Sequence, residues 1–207
     1  KLDDIYGVAI VGDLVSKLGT HAEYDVLAKG LKTLSVPIYA VPGNHDILYK
    51  DYLINGEKKR GSPAEKKAKQ QLFKKTLGLK SLYYAKKAGG HLLVFMPNDA
   101  LSAIPCSMPS DEAWEFLRKT LKNNRDMPTI IFNHAPLTGS YADKKTMPPL
   151  QANAQPAARI RRLLKDNPQV YLWFSGHLHI KPAQRYFNCP ENKVGKVNVI
   201  HVPPSQI

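Results

Sequence analysis

The stretch "VPGNHDILY", residues 41–49, places an amide, an imidazole and a carboxylate in consecutive positions, Asn44, His45 and Asp46, directly behind the short apolar run from Pro37 to Val41. A run of that length reads as a buried strand and Pro42-Gly43 breaks it, so the three polar side chains are expected in a loop at a strand tip. The run from Tyr6 to Val11 ends the same way, in Gly12-Asp13. Between the two lies a helix signature. Thr20-His21-Ala22-Glu23 has capping-box spacing, and Tyr24, Leu27, Ala28, Leu31 and Leu34 follow at helical intervals until Pro37. Strand, helix and strand in that order predict adjacent parallel strands and an α/β chain. His21, in the first turn of the helix, is a bystander in this scheme.

The theme recurs downstream. Thr129 to Phe132 is a strand tipped by Asn133-His134, and Val170 to Ser175 is a strand tipped by Gly176-His177-Leu178-His179. A helix from about Gln155 to Asp166 separates them, and Val194 to Val202 reads as a last strand. Leu82 to Lys86 and His91 to Met96 form two strands joined at Ala88-Gly89-Gly90, which gives His91 a structural place in a sheet. A further helix starts near Ser110, with Asp111 and Glu112 at the positive end of its dipole. The lysine-rich stretch from Gly56 to Lys75 runs into a helix whose apolar side is expected to hold Ala68, Leu72, Phe73 and Leu77 beneath a basic outer face.

Neither a repeat nor a low-complexity linker interrupts the 207 residues, so one domain over residues 1–207 is expected. Lys and Arg number 30 against 17 Asp and Glu, a net charge of +13 that favours anionic partners or substrates. The plainer reading of the lysine run is a solvated helix face. Only Cys106 and Cys189 are present, which excludes a disulfide scaffold and a four-cysteine zinc site while leaving one disulfide open. No stretch approaches the roughly 20 apolar residues of a membrane span, and Lys1-Leu2-Asp3-Asp4 does not read as a signal peptide. Compartment and oligomeric state are not legible.

Four apolar strands thus end in Asp13, in Asn44-His45-Asp46, in His134 and in His177-Leu178-His179. Imidazole, carboxylate and amide oxygen are good ligands for borderline divalent metals, and the carboxyl ends of neighbouring strands are where α/β sheets gather functional groups. Any one of these histidines alone would more often be structural. The ordered set Gly-Asp, Gly-Asn-His-Asp, Asn-His and Gly-His-x-His, from Gly12 to His179, resembles the calcineurin-like metallophosphoesterases.

The resemblance implies a two-sheet mixed β-sandwich flanked by helices and a pair of divalent ions, Mn, Fe or Zn. Asp13 would bridge the two ions, Asn44, His134 and His177 would complete one site, and His179 would belong to the other. His45 would face the substrate. Two cations can hold the attacking and leaving oxygens of an in-line displacement at phosphorus, and a water between them becomes hydroxide near neutral pH. A protonated His45 can stabilise developing charge and protonate the leaving oxygen.

Two departures qualify the match. The family's Asp-x-His on its first strand has no counterpart before Asp13, and that strand is expected to lie upstream of Lys1. In the protein-phosphatase branch the stretch after Gly-Asp carries an Asp that supports the substrate-facing histidine and an Arg that binds phosphate; Ser16 and Lys17 occupy those places here. Asp46, or more weakly Ser16, is then expected to orient His45. The resulting expectation is a metal-dependent phosphoesterase acting on a phosphodiester or monoester. The alternatives are a nuclease that tracks nucleic acid with the Lys58 to Lys75 segment, and an inactive binding module on the same fold.

Overall fold

The computed structural model describes residues 5–103, 107–141 and 149–204, so Cys106, one of the two candidate disulfide partners, lies outside the described residues. In chain order the elements are β1 (Val8–Ile10), α1 (His21–Leu31), β2 (Ile38–Ala40), α2 (Asn44–Ile47), α3 (Pro63–Leu77), β3 (Tyr84–Ala88), β4 (His91–Met96), α4 (Asp111–Lys122), β5 (Thr129–Asn133), α5 (Pro149–Ala152), α6 (Ala157–Asp166), β6 (Val170–Ser175), β7 (Lys193–Val194) and β8 (Val197–His201). β1 and β2 pair in parallel as a small sheet, and the larger sheet runs β3-β4-β5-β6-β8-β7.

An aromatic ladder sets the register of the larger sheet. Tyr84 pairs with Phe95, Phe95 with Phe132 and Phe132 with Phe174 across β3, β4, β5 and β6, with ring centroids 4.6, 4.7 and 5.1 Å apart. Rings in such offset stacks add about 0.5–1.5 kcal/mol per pair beyond their buried area. Tyr39 of β2, with Val11 and Val41 just beyond the two short strands, closes over this face. On the opposite face Val94, Ile131, Trp173 and Val199 pack against Trp114, Leu117 and Leu121 of α4 and Ile160, Leu163 and Leu164 of α6. Tyr24 of α1 and Phe73 of α3 cover the outer side of the small sheet. The order helix, sheet, sheet, helix is the sandwich that the family resemblance implies. Because one ladder fixes β4, β5 and β6 against each other, the residues that leave β5 and β6 emerge at one level.

The local signals hold with adjustments. Thr20 and Glu23 form the capping box of α1, but the helix ends at Leu31 and Leu34 is left 47% exposed. The β3–β4 hairpin turns on Gly89-Gly90, whose φ angles of 54° and 76° suit glycine in a two-residue turn. The expected last strand is two strands, β7 and β8, folded back at Gly195-Lys196. Residues 44–47 form one helical turn instead of a loop, because the Asp46 carboxylate accepts the Gly43 N–H and Leu48 N–H bonds to the Asn44 carbonyl.

The basic helix is corrected more substantially. Lys66 and Lys69 are 7% and 6% exposed, and they share the inward stripe of α3 with Phe73, whereas Ala68 faces out. Their stems pack while the ammonium groups reach carbonyls, Lys66 that of Leu101 at 2.7 Å and Lys69 that of Leu18 at 2.5 Å. Lys69 also pairs with Asp51 at 2.6 Å. Among the described residues no helix is long and apolar enough to cross a membrane.

Candidate metal centre

The four polar strand tips meet at the carboxyl ends of β1, β2, β5 and β6. His134, 1% exposed, stands at the centre. Its Nδ1 donates to the Val11 carbonyl at 2.7 Å, which turns Nε2 toward the other strand tips. Around Nε2 lie Asn44 Oδ1 at 3.0 Å, His177 Nδ1 at 3.1 Å and Asp13 Oδ2 at 3.4 Å. His177 donates through Nε2 to the Gln151 carbonyl at 2.9 Å, so its Nδ1 also presents a lone pair. Asn44 turns its NH2 to the Tyr49 hydroxyl at 3.1 Å, which aims its oxygen inward.

Four ligand-type atoms therefore converge, drawn together either by a proton on His134 Nε2 or, in its place, by a cation among them. Ligands about 2.0–2.2 Å from a first-row divalent ion lie roughly 3–3.5 Å from one another; the three distances from His134 Nε2 fall in that range, and the Asp13, His134 and His177 atoms all lie within 4.8 Å of one another. The donor set of carboxylate, amide oxygen and two imidazoles suits Mn, Fe or Zn.

The electrostatics show how strongly the groups are coupled. Burial raises the Asp13 carboxyl, but the adjoining His134 and His45 outweigh it and hold the group well below the usual carboxylate range. Burial lowers His134, and the Asp13 charge and hydrogen bonds reverse that and hold the imidazole above its ordinary value. Burial, with the His134 charge second, pushes His177 down to about 4, which keeps it neutral and ready to ligate.

The glycines of the motifs make the convergence sterically feasible. A Cβ on Gly12, whose φ is 93°, would run into His134 Nδ1, and one on Gly43 would run into the Asp13 carboxylate. Asp13, His177 and His179 themselves hold φ of 54°, 64° and 52°, a region that costs a non-glycine residue roughly 1–3 kcal/mol and collects at functional sites.

The remaining candidates lie around this group. His179 is exposed, near enough to His177 for their charges to interact, and is outside the cluster of Asp13, His134 and His177. His45 stands at the rim. Its N–H caps Asp13 Oδ1 at 2.9 Å and its ring lies edge-on to Tyr49. Its Nδ1 donates to the Lys17 carbonyl at 2.8 Å, so neither Asp46 nor Ser16 orients it.

Asp46 is instead fully buried, where it accepts the N–H groups of Val15 at 3.0 Å and Gly43 at 2.7 Å. It ties the loop of Asp13 to the loop of Asn44. Burial, then the Asp13 charge, pushes its carboxyl up to about 7 against the pull of those two donors. Replacing Asp46 by Ala strands both buried donors, at about 1–3 kcal/mol for each lost acceptor. A fall in Tm of roughly 5–15 °C together with weakened metal retention is expected by scanning calorimetry; an unchanged Tm removes the clamp.

Sequence reading missed the carbonyls of Val11, Lys17 and Gln151, which set the ring orientations, because every residue carries a carbonyl and no side-chain pattern marks these three. It also missed how the loop under His45 is built. Glu23 accepts the N–H groups of Lys17 at 2.8 Å and Leu18 at 3.1 Å, while Lys69 holds the Leu18 carbonyl, so the capping-box glutamate of α1 and a buried lysine together present the Lys17 carbonyl to His45. Lys58, exposed, places its ammonium 3.2 Å from His45 Nδ1 and 5.6 Å from the centre of the Tyr49 ring.

In sequence, the chain matches the family model of calcineurin-like phosphoesterases over residues 1–181. No curated protein matches it. In structure it is similar to a dimetal phosphatase from Danio rerio, with 14% identity and a TM-score of 0.60 over 96% of this chain and 72% of that one. It is similar also to the phosphopantetheinyl hydrolase of Mycobacterium tuberculosis, with 16% identity and a TM-score of 0.56 over 94% and 78% of the two chains. At those identities the likeness is one of fold.

Proposed function

This chain belongs to the calcineurin-like phosphoesterase family, and from that premise we propose that it hydrolyses small phosphate esters with Asp13, Asn44, His134 and His177 holding a divalent ion and His45 facing the substrate. The observation that carries the reading is the meeting of Asp13, Asn44 and His177 around His134 Nε2. These residues would hold a divalent ion, whose chemistry would be Lewis-acid stabilisation of charge on phosphoryl oxygens and activation of water. The chain's own residues do the rest. Val11 and Gln151 hold the imidazoles in the ligating tautomer. Asp46 keeps the two ligand-bearing loops in register. Lys17 fixes the proton of His45 on Nδ1 and leaves Nε2 as the nitrogen available to a leaving oxygen. His179, next to His177, is the residue we assign to a second ion.

Of the basic segment behind the nuclease alternative, Lys66 and Lys69 face inward, while Lys58, Lys59, Lys67 and Lys75 stay exposed. The test is hydrolysis of an aryl phosphate monoester and a bis-aryl diester by chelator-treated protein given back Mn, Fe(II) or Zn. Metal-dependent turnover is expected, and metal-loaded protein without turnover would reduce the chain to a binding module.

Attraction of the anionic substrate falls to Lys58 at the rim. Reversal of its charge, Lys58→Glu, is expected to lower kcat/KM about tenfold at roughly 0.01 M ionic strength and to approach the native value near 1 M, where charges are screened beyond about 3 Å. Equal losses at both salt levels would make Lys58 a contact residue instead of an attractor.

A further inference from the structure

The turn of residues 17–20, between β1 and α1, is held by two charged side chains. Lys69 of α3 brings a buried ammonium to the Leu18 carbonyl at 2.5 Å and the Gly19 carbonyl at 3.3 Å, with Asp51 Oδ1 at 2.6 Å as its counter-charge. Glu23 of α1 accepts the N–H groups of Lys17 at 2.8 Å, Leu18 at 3.1 Å and Thr20 at 3.2 Å. Burial raises its carboxyl, and those donors outweigh burial and hold the group below its ordinary value.

The planarity of the peptide converts this hold into a direction. The Leu18 N–H and the Lys17 carbonyl belong to one trans peptide and point opposite ways. Glu23, by taking that N–H, therefore aims the carbonyl to the other side, where His45 Nδ1 donates to it at 2.8 Å. Lys69 fixes the next peptide plane through the Leu18 carbonyl, so the first plane is not free to swing. Gly19 seats the turn on the site: its φ is 71°, and a Cβ there would strike the Asp46 carbonyl. A buried ammonium is costly, and an apolar side chain at position 69 would fill the same stripe beside Phe73. What the ammonium adds is the grip on two carbonyls.

We propose that Lys69 and Glu23 are positioning residues: through the peptide between Lys17 and Leu18 they set the direction in which His45 presents Nε2 to the leaving oxygen. Both act through His45 and need no contact with substrate. The inference rests on the reading of His45 as the residue that faces substrate.

The test measures an aryl and an alkyl phosphate ester with metal-loaded native protein, Lys69→Met, Lys69→Arg, Glu23→Gln, His45→Ala and the double variant Lys69→Met/His45→Ala. Lys69→Met is expected to keep its metal and its KM and to lose about tenfold in kcat on the alkyl ester, the scale of one charged hydrogen bond, with little loss on the aryl ester. Lys69→Arg, which can reach both carbonyls, is expected to recover most of that rate. In the His45→Ala background the same change should cost nothing further, because both changes act on one group. Glu23→Gln leaves α3 untouched, is expected to show the same pattern, and decides the matter if Lys69→Met does not fold. Equal slowing of both esters, or a full loss that persists in the His45→Ala background, would make Lys69 a structural tie and overturn the positioning. Nitrogen NMR of the His45 ring in zinc-loaded protein reads the geometry without turnover, and Lys69→Met or Glu23→Gln is expected to move the Nδ1 signal. An unmoved signal overturns the positioning whatever the turnover. A moved signal in a protein whose native form hydrolyses neither ester overturns the proposed function and leaves the hold on His45 standing.

Discussion

Replacing His134 by Ala is expected to strip the metal centre and lower turnover by about 10³-fold or more, the scale set by losing several kcal/mol of Lewis-acid stabilisation. His134 is the point on which the other three candidate ligands converge, so its loss removes one donor and the geometry that gathers the rest. Its ring also holds the Val11 carbonyl, and a fall in Tm will accompany the change. His177→Ala separates the two effects. Its partner carbonyl, that of Gln151, lies in the short α5, so metal content should drop with a smaller cost in Tm. Metal content by mass spectrometry, read beside the melting curve, checks both. A His134→Ala protein that keeps stoichiometric metal would refute the centre.

His45→Ala is expected to spare the metal and still cost roughly 10²–10⁴-fold in turnover, the range for a lost general acid. The backbone of His45 caps Asp13 whichever side chain it bears, so the Asp13 loop keeps its shape. What disappears is an imidazole whose Nδ1 is committed to the Lys17 carbonyl and whose other nitrogen is available to the substrate. The loss should follow the leaving group. An ester of an acidic phenol needs little protonation and suffers least, whereas an alkyl ester suffers most. Equal slowing of both esters, or loss of metal, would make His45 an electrostatic anchor or a ligand.

The ordered polar tips were legible because strand termini announce themselves. An apolar run that stops at glycine or proline and is followed by Asp, Asn or His carries its own boundary, and a β-α-β order brings such boundaries to one edge. The Thr20–Glu23 capping box and the Gly89-Gly90 turn are local in the same sense, depending only on residues within a few positions of each other. The lysines of α3 were not legible. Ala68, Leu72, Phe73 and Leu77 satisfy helical spacing as well as Lys66, Lys69, Phe73 and Leu77 do, and which stripe turns inward depends on whether carbonyls wait across the interface. Asp46 was likewise read beside its neighbour His45, when its partners are Val15, 31 positions away, and Gly43.

By itself, then, the sequence determined which side chains reach the edge of the sheets and which chemistry they can perform. Tertiary structure alone decided the state in which they meet there. A histidine is a ligand or a donor according to the proton on its other nitrogen, and that proton is placed by a carbonyl from a distant strand or helix, Val11 for His134 and Gln151 for His177. A backbone carbonyl has no identity in the sequence, and only packing brings one within 3 Å of a ring.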